Sequence, residues 1–289
     1  MREVVTRFAP SPTGRLHLGH AYSALLAHDF ARDRGGAFLL RIEDIDPKRA
    51  RPEHLDGIIE DLNWLGLEYD GEILYQSERL PLYSEALERL KAMDLLYPCF
   101  CTRSAIAAEI AASATAPQGP DGPLYPGTCR RLGDPERSKR LAGEPHAWRL
   151  DIVSASRLAG PLYWKDGDTE VQAEAERFGD VVLARKDAPT SYHLAVTVDD
   201  SAQRVTDVVR GRDLFATTDV HRLLQALLGL PTPHYHHHPL VLDGEGRRLA
   251  KRDGAPSLAD LRASGVDPAA LAADLRAGRL PAGYSAAAL

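Results

Sequence analysis

The sequence predicts an α/β protein built on a parallel sheet, and three observations carry that prediction. Short apolar runs that read as buried strands, at residues 4–6, 37–42 and 205–210, alternate with longer stretches of helical period. The first two runs enclose a single helix, a βαβ order that implies parallel strands and a right-handed crossover. The runs end on Arg7, Glu43 and Arg210, at the carboxyl rim where open parallel sheets bind ligands.

The composition is compatible with one large or two modest domains. The chain has 289 residues, 44% hydrophobic and 26% charged, with a formal net charge of −6. It is therefore not a polycation, and a nucleic-acid partner needs a local basic face. No apolar run is long enough to span a membrane, and the first ten residues lack the apolar core of a secretion signal. Three cysteines, an odd number, argue against a disulfide framework, so the expected location is cytoplasmic, with thiols reduced or bound to metal.

The first strand runs into Arg7, Phe8, Ala9, Pro10 and Ser11, where prolines 10 and 12 stiffen the backbone and Gly14 lets it turn. His17, Gly19 and His20 then open a helix carrying Ala21, Ala24, Leu25 and Ala31 at helical spacing, and Arg34-Gly35-Gly36 stops it. A helix start presents N–H donors and the positive end of the macrodipole, which suit phosphate. Gly19 lets a ligand approach the backbone, and the imidazoles can donate to phosphate oxygens. At the sheet rim, Arg7 can hold a carboxylate in a fork and Glu43 can hold an ammonium, a pair suited to an amino acid. Asp44 and Asp46 read as loop or cap residues ahead of Pro47.

Residues 52–65 form a helix with Leu55, Ile58, Ile59, Leu62 and Leu65 on one face, Trp64 in the core and Gly66 as its stop. Ser77 is expected to cap a third helix with the stripe Leu80, Tyr83, Leu87 and Leu90. The composition changes at Pro98. All three cysteines, Cys99, Cys101 and Cys129, fall between positions 99 and 129, around a loop rich in proline and glycine. Three thiolates with one further ligand suit structural zinc, and spacing leaves His146, Tyr125 or a water as that ligand. Arg130, Arg131, Arg137, Lys139 and Arg140 make either an RNA-facing patch or a solvated mixed loop with Asp134 and Glu136. Residues 97–189 read as a small α+β insertion with strands near 147–151 and 181–185.

The sheet is expected to resume with a buried strand at 190–200, where Tyr192 offers a hydroxyl on an apolar body. Thr218-Asp219 caps a helix to Leu228 with Leu223, Leu224, Leu227 and Leu228 inward. His234, His236, His237 and His238 precede a strand at 239–243 and lack an acid or cysteine at ligand spacing, so they are not read as a metal site. Arg248, Lys251 and Arg252 sit on a Gly-flanked turn, where cations fit the charge that develops on transferring phosphates. Only 37 residues follow Arg252 in the 289, enough for helices near 257–261 and 269–276 but fewer than the roughly 50 of an independent domain.

Several of these motifs together resemble the class I aminoacyl-tRNA synthetases in their glutamate-specific form. The stretch PSPTGRLHLGH is similar to their first signature. Gln76-Ser77 at a helix start, the SY-x-LA-x-x-x-DD run from Ser191 and the V-x-RG-x-DL run from Val208 match the glutamate-specific pattern. The segment from Arg248 to Gly254 resembles a degenerate second signature, with Lys251 at its second lysine, Arg248 in place of the first and Ala250 in place of the serine. The C-x-C…Y-x-x-x-C arrangement and the short C-terminus are similar to the glutamyl-queuosine tRNA(Asp) synthetases, short paralogues of glutamyl-tRNA synthetase.

The resemblance implies a Rossmann-type catalytic domain from 1–96 and 190–252, an inserted zinc-containing unit from 97–189, and a helical segment from 253–289 with no anticodon-binding domain. It implies ATP with Mg against His17, Gly19, His20 and Lys251. It places L-glutamate on residues 7–11, Glu43, Tyr192 and Arg210, and one structural Zn on Cys99, Cys101, Cys129 and Tyr125. It implies tRNA(Asp) carrying queuosine as acceptor; no membrane partner is expected, and the expected state is a monomer.

Overall fold

The structure, a computed structural model, describes residues 3–112, 117–247, 249 and 256–287. Strand β1 (Val5–Phe8), helix α1 (Leu18–Arg32) and strand β2 (Ala37–Ile42) form the expected βαβ unit, with β1 and β2 parallel. Its crossover closes tightly: a Cβ on Gly36 would lie 2.2 Å from the Val4 carbonyl oxygen, so only glycine fits. Helix α2 (Pro52–Trp64) leads to β3 (Leu74–Tyr75), parallel to β2, and α3 (Leu80–Ala92) follows. The next segment contains β4 (Leu96–Cys99), α4 (Arg103–Ala112), the short pair β5 (Gln118–Gly119) and β6 (Gly122–Pro123), α5 (Asp134–Leu141), β7 (Ala147–Leu150), α6 (Ile152–Ala159), the hairpin β8 (Tyr163–Asp166) and β9 (Thr169–Gln172), and β10 (Val182–Ala184). The chain ends with α7 (Tyr192–Ala202), β11 (Asp207–Gly211), α8 (Thr218–Leu228), β12 (His234–His238), β13 (Leu240–Leu242), α9 (Leu258–Ala263), α10 (Pro268–Arg276) and β14 (Ser285–Ala287).

Strand β11 starts beside β1, where Thr206 N donates to Val5 O at 2.9 Å, and β12 is parallel to β11. The order β3-β2-β1-β11-β12 therefore reverses direction of growth between β1 and β11, the place where such sheets open a ligand crevice. One core lies under β1, α1, β2 and α2 with Val209, Val241, Leu258 and Leu275. A second joins α3, α7 and α8 to β7, α6 and β10.

Five features differ from the sequence reading. The stretch at 190–200 is helix α7, not a strand. Leu194, Ala195, Val196, Thr197, Asp199 and Asp200 are all buried, so burial on several faces hides the helical period and imitates a buried strand. Thr197 Oγ1 donates back to His193 O at 2.8 Å, the way threonine sits in a helix. Ser77 does not cap α3; a 3₁₀ turn at Gln76–Arg79 precedes that helix, and Ser77 N and Oγ donate to Asp44 at 2.8 and 2.6 Å. The histidine run is itself strand β12 rather than its approach: its backbone pairs with β11 along the whole run and with β8 at Tyr235. The C-terminal segment holds both expected helices and also β14, antiparallel to β13. Hairpin β8–β9, inside the 97–189 range, is hydrogen-bonded to β12.

Candidate active site and metal centre

The ends of β1 and β11 line a cavity of about 610 Å³. Arg7, Phe8, Ala9, Pro10, Ser11, His17, Gly19, His20, Glu43, Tyr192 and Arg210 all face it, together with His238, Val241 and Leu249. Every residue expected for nucleotide and amino acid is therefore in one cavity, apart from Lys251. Lys251 lies outside the described residues, as do Arg248, Ala250 and Arg252. The flanks of that stretch are at the cavity: Leu249 lines it, and Ser257 bridges to His17.

At the start of α1 two histidines make a reciprocal cap. His17 Nδ1 accepts from Gly19 N at 3.2 Å, and His20 Nδ1 accepts from His17 N at 3.1 Å. The rings lie 3.8 Å apart between centroids. A ring nitrogen that accepts carries no proton, which leaves Nε2 of each ring as the atom that can donate. A Cβ on Gly19 would approach the His17 ring to 3.2 Å, and glycine lets that ring fold back over the helix end.

The amino-acid side of the cavity rests on a buried charge cluster. Asp200 accepts from Arg7 Nε at 3.0 Å and from Arg41 Nη1 at 2.7 Å. Burial pushes its carboxyl up, but the two guanidiniums outweigh this and hold it below its usual range. Arg41 also reaches Gln203 Oε1 at 2.9 Å and Glu43 Oε1 at 3.5 Å. Burial pushes Glu43 up to about 6 despite Arg41 and Arg7. The preceding residue, Asp199, faces away and accepts from Gln76, Arg79 and Tyr83, which fastens α7 to α3.

Arg210 is 5% exposed. Among the described residues its hydrogen-bond partners are all neutral: His237 Nε2 at 3.1 Å, Thr218 Oγ1 at 2.7 Å, the Leu214 carbonyl at 3.0 Å, and Tyr192 Oη and His221 Nδ1 at 3.5 Å. His221 stays uncharged because burial, then Arg210 itself, push it well below its usual value. A buried cation whose hydrogen-bond partners are all neutral favours an anionic ligand.

The second centre is built by β4 and a 3₁₀ turn at Thr128–Arg131. The sulfurs of Cys99, Cys101 and Cys129 lie within 4.8 Å of one another. Tyr125 Oη is 3.5 Å from Cys99 Sγ and 3.4 Å from Cys101 Sγ, and it accepts from Cys129 N at 2.9 Å. A tetrahedral ion with Zn–S of about 2.3 Å and Zn–O of about 2.0 Å needs S···O separations of about 3.5 Å. The donor set fits. Burial pushes the Cys101 thiol and the Tyr125 hydroxyl up, and a cation among them would reverse that. His146, the other candidate, contacts the Glu144 carbonyl, Phe100 and Trp148. The basic residues nearby are largely paired: Arg130 with Asp180 and Asp151, Arg137 with Asp134, and Arg140 with Glu144. That favours the mixed-loop reading over a bare cationic patch.

The family profile described as tRNA synthetases class I (E and Q), catalytic domain, matches residues 3–283. The chain belongs to that family. A protein of Rhodobacter capsulatus named Glutamyl-Q tRNA(Asp) synthetase is 52% identical over 274 residues, 92% of this chain and 97% of that protein. One of the same name from Nocardia farcinica is 47% identical over 272 residues, 91% and 80% of the two chains. Among solved structures, a glutamate-tRNA synthetase of Elizabethkingia anophelis superposes with TM-score 0.78 at 30% identity over 92% of this chain. The present chain spans 60% of that synthetase's length. Among the described residues no helix is long and apolar enough to cross a membrane.

As a class I synthetase the protein is a member of a ligase family, and two residues at its site were not singled out from sequence. Asp200 was visible only as half of an acidic pair, and α7 decides which half turns toward Arg7. Arg41 carried a signal, since an arginine inside an apolar strand needs a buried acid.

Proposed function

We propose that the enzyme activates L-glutamate with ATP in the absence of tRNA, then passes the glutamyl group to queuosine at the wobble position of tRNA(Asp). The observation that carries the amino-acid reading is Arg210, a buried cation with neutral partners, in one cavity with the carboxylate of Glu43. Arg210 and Tyr192 receive the side-chain carboxylate, Glu43 receives the ammonium, and Arg7 and residues 8–11 close the rim. Glutamine would leave the guanidinium without a counter-charge, which favours glutamate. The Nε2–H groups of His17 and His20 donate to phosphate oxygens as charge shifts toward the leaving group, and Lys251 is assigned to the same phosphates.

An α-carboxylate oxygen of glutamate forms a bond to the α-phosphorus of ATP. The bond from that phosphorus to the bridging oxygen breaks, and pyrophosphate leaves with the electron pair. A hydroxyl of the queuosine ring then attacks the activated carbonyl, AMP departs, and the hydroxyl proton goes to solvent. No side-chain nucleophile is required, because the site positions the reactants and stabilises charge. ATP is taken as its Mg complex.

We assign residues 1–96 and 190–252, with hairpin β8–β9 beside β12, to the catalytic unit, the rest of residues 97–189 to an RNA-facing insertion, and residues 253–289 to a short C-terminal segment. Cys99, Cys101, Cys129 and Tyr125 hold one zinc ion, which ties β4 to the loop before α5. The names of the Rhodobacter and Nocardia relatives support the acceptor.

The test is glutamate-dependent ATP–pyrophosphate exchange without RNA, then label transfer to tRNA(Asp) with and without queuosine. Exchange followed by transfer only to the modified tRNA is the expected result. Charging of unmodified tRNA(Glu) instead would replace the acceptor, and no exchange at all would end the catalytic reading.

Two further outcomes are expected. Glu43 must be ionised to hold an ammonium, and its carboxyl lies near 6. The kcat/KM for glutamate should therefore fall about tenfold per pH unit below that value. Glu43→Gln should be slow but lack this limb; a limb that survives the substitution would assign it elsewhere. Elemental analysis should find one zinc per chain, lost in Cys101→Ala. That variant should keep tRNA-independent exchange and lose transfer to tRNA. Metal-free wild-type protein with full transfer would refute the centre.

A further inference from the structure

The histidine run of β12 is not used by the proposed reaction, yet it is bonded to it. Across the parallel ladder His237 is the register partner of Arg210. Its ring is fully buried against Trp164, Phe215 and Tyr235. Arg210 Nε donates to His237 Nε2 at 3.1 Å. A guanidinium cannot accept, so Nε2 must, and the ring proton sits on Nδ1. That atom faces Asp166 Oδ1 at 3.0 Å, and the same oxygen accepts from His237 N at 3.0 Å. Asp166 is the last residue of β8, so one hairpin carboxylate fixes both the tautomer and the backbone position of the histidine.

The rest of Arg210 shows what the arrangement achieves. Nε is held by His237, and Nη2 by Thr218 Oγ1 and the Leu214 carbonyl. Only Nη1 has long contacts, 3.5 Å to Tyr192 Oη and 3.5 Å to His221 Nδ1. Three of the five N–H donors are fixed, and the remaining pair is aimed toward the tyrosine that lines the cavity. We infer that His237, oriented by Asp166, is a positioning residue that sets the aim of Arg210 on the substrate's side-chain carboxylate. The hairpin β8–β9 thereby contributes to amino-acid recognition although none of its residues lines the cavity. Burial, and then the charge of Arg210, keep His237 well below its usual value, so the ring remains the neutral acceptor that this geometry requires.

The inference rests on the glutamate reading of the cavity. Its test is pyrophosphate exchange by His237→Leu, His237→Gln and Asp166→Ala, with KM measured separately for glutamate and ATP. The leucine removes the acceptor, and the glutamine amide oxygen restores one near the Nε2 position. His237→Leu should raise the glutamate KM about tenfold or more, leave the ATP KM within about twofold, and be rescued to within about threefold by His237→Gln. Asp166→Ala, at a residue less buried than the histidine, supplies the measurement if the leucine variant does not fold, and should raise the glutamate KM about three- to tenfold with the ATP KM unchanged. An unchanged glutamate KM in a folded variant, an equal rise for ATP, or no rescue by glutamine would overturn the inference while wild-type exchange stands. Wild-type protein with no glutamate-dependent exchange would overturn the glutamate reading itself.

Discussion

His17→Asn should lower kcat for glutamate-dependent pyrophosphate exchange by about 10²–10³-fold, the usual cost of one preorganised donor to developing charge. Thermal unfolding should move little. The asparagine oxygen can occupy the position of His17 Nδ1, which accepts from Gly19 N, and asparagine is among the best helix caps. What it lacks is a donor at the Nε2 position. His20→Gln makes the same separation at the other ring, because glutamine is a natural partner in a reciprocal cap. A variant with full kcat and a raised ATP KM would show that the imidazoles bind ground-state ATP only. A variant that unfolds early would show that their main work is the cap.

Arg210→Gln should reduce kcat/KM for glutamate by about 10²–10³-fold, as expected when one partner of a desolvated charge contact is removed. Its effect on glutamine should be much smaller, so discrimination between the two amino acids collapses. Arg210→Lys should recover little, since an ammonium cannot meet His237, Thr218 and the Leu214 carbonyl together while still reaching the substrate. Competition exchange assays with the two amino acids measure this directly. Equal losses for both would place Arg210 against the α-carboxylate, which they share.

Much of the site was legible because its chemistry is local in sequence. Arg7 to His20 contains the strand end, the turn and the helix start, and each residue type has one evident use there. The cysteines were legible by count and grouping, although spacing left Tyr125, His146 or a water as the further group; the structure adds that the Tyr125 hydroxyl lies beside the sulfurs. Helix α7 was misread because burial on several faces removes the periodicity by which helices are recognised. The acids that pair with the histidines of β12 were sought nearby in sequence and are not there. Asp207 and Asp166 come from neighbouring strands, at 2.9 Å from His236 and 3.0 Å from His237.

The sequence by itself determined the α/β class, the first βαβ unit, the family resemblance and part of the set of side chains that line the cavity, because motif spacing and hydrophobic period are properties of the chain. Only the tertiary structure decided the direction of each charge. Asp200 pairs with Arg7 and Arg41, Asp199 turns to α3, and Arg210 is left with neutral hydrogen-bond partners. Those assignments depend on which residues far apart in the chain share one buried volume. In a low-dielectric interior, that sharing decides which charges are satisfied within the protein and which favour a charged ligand.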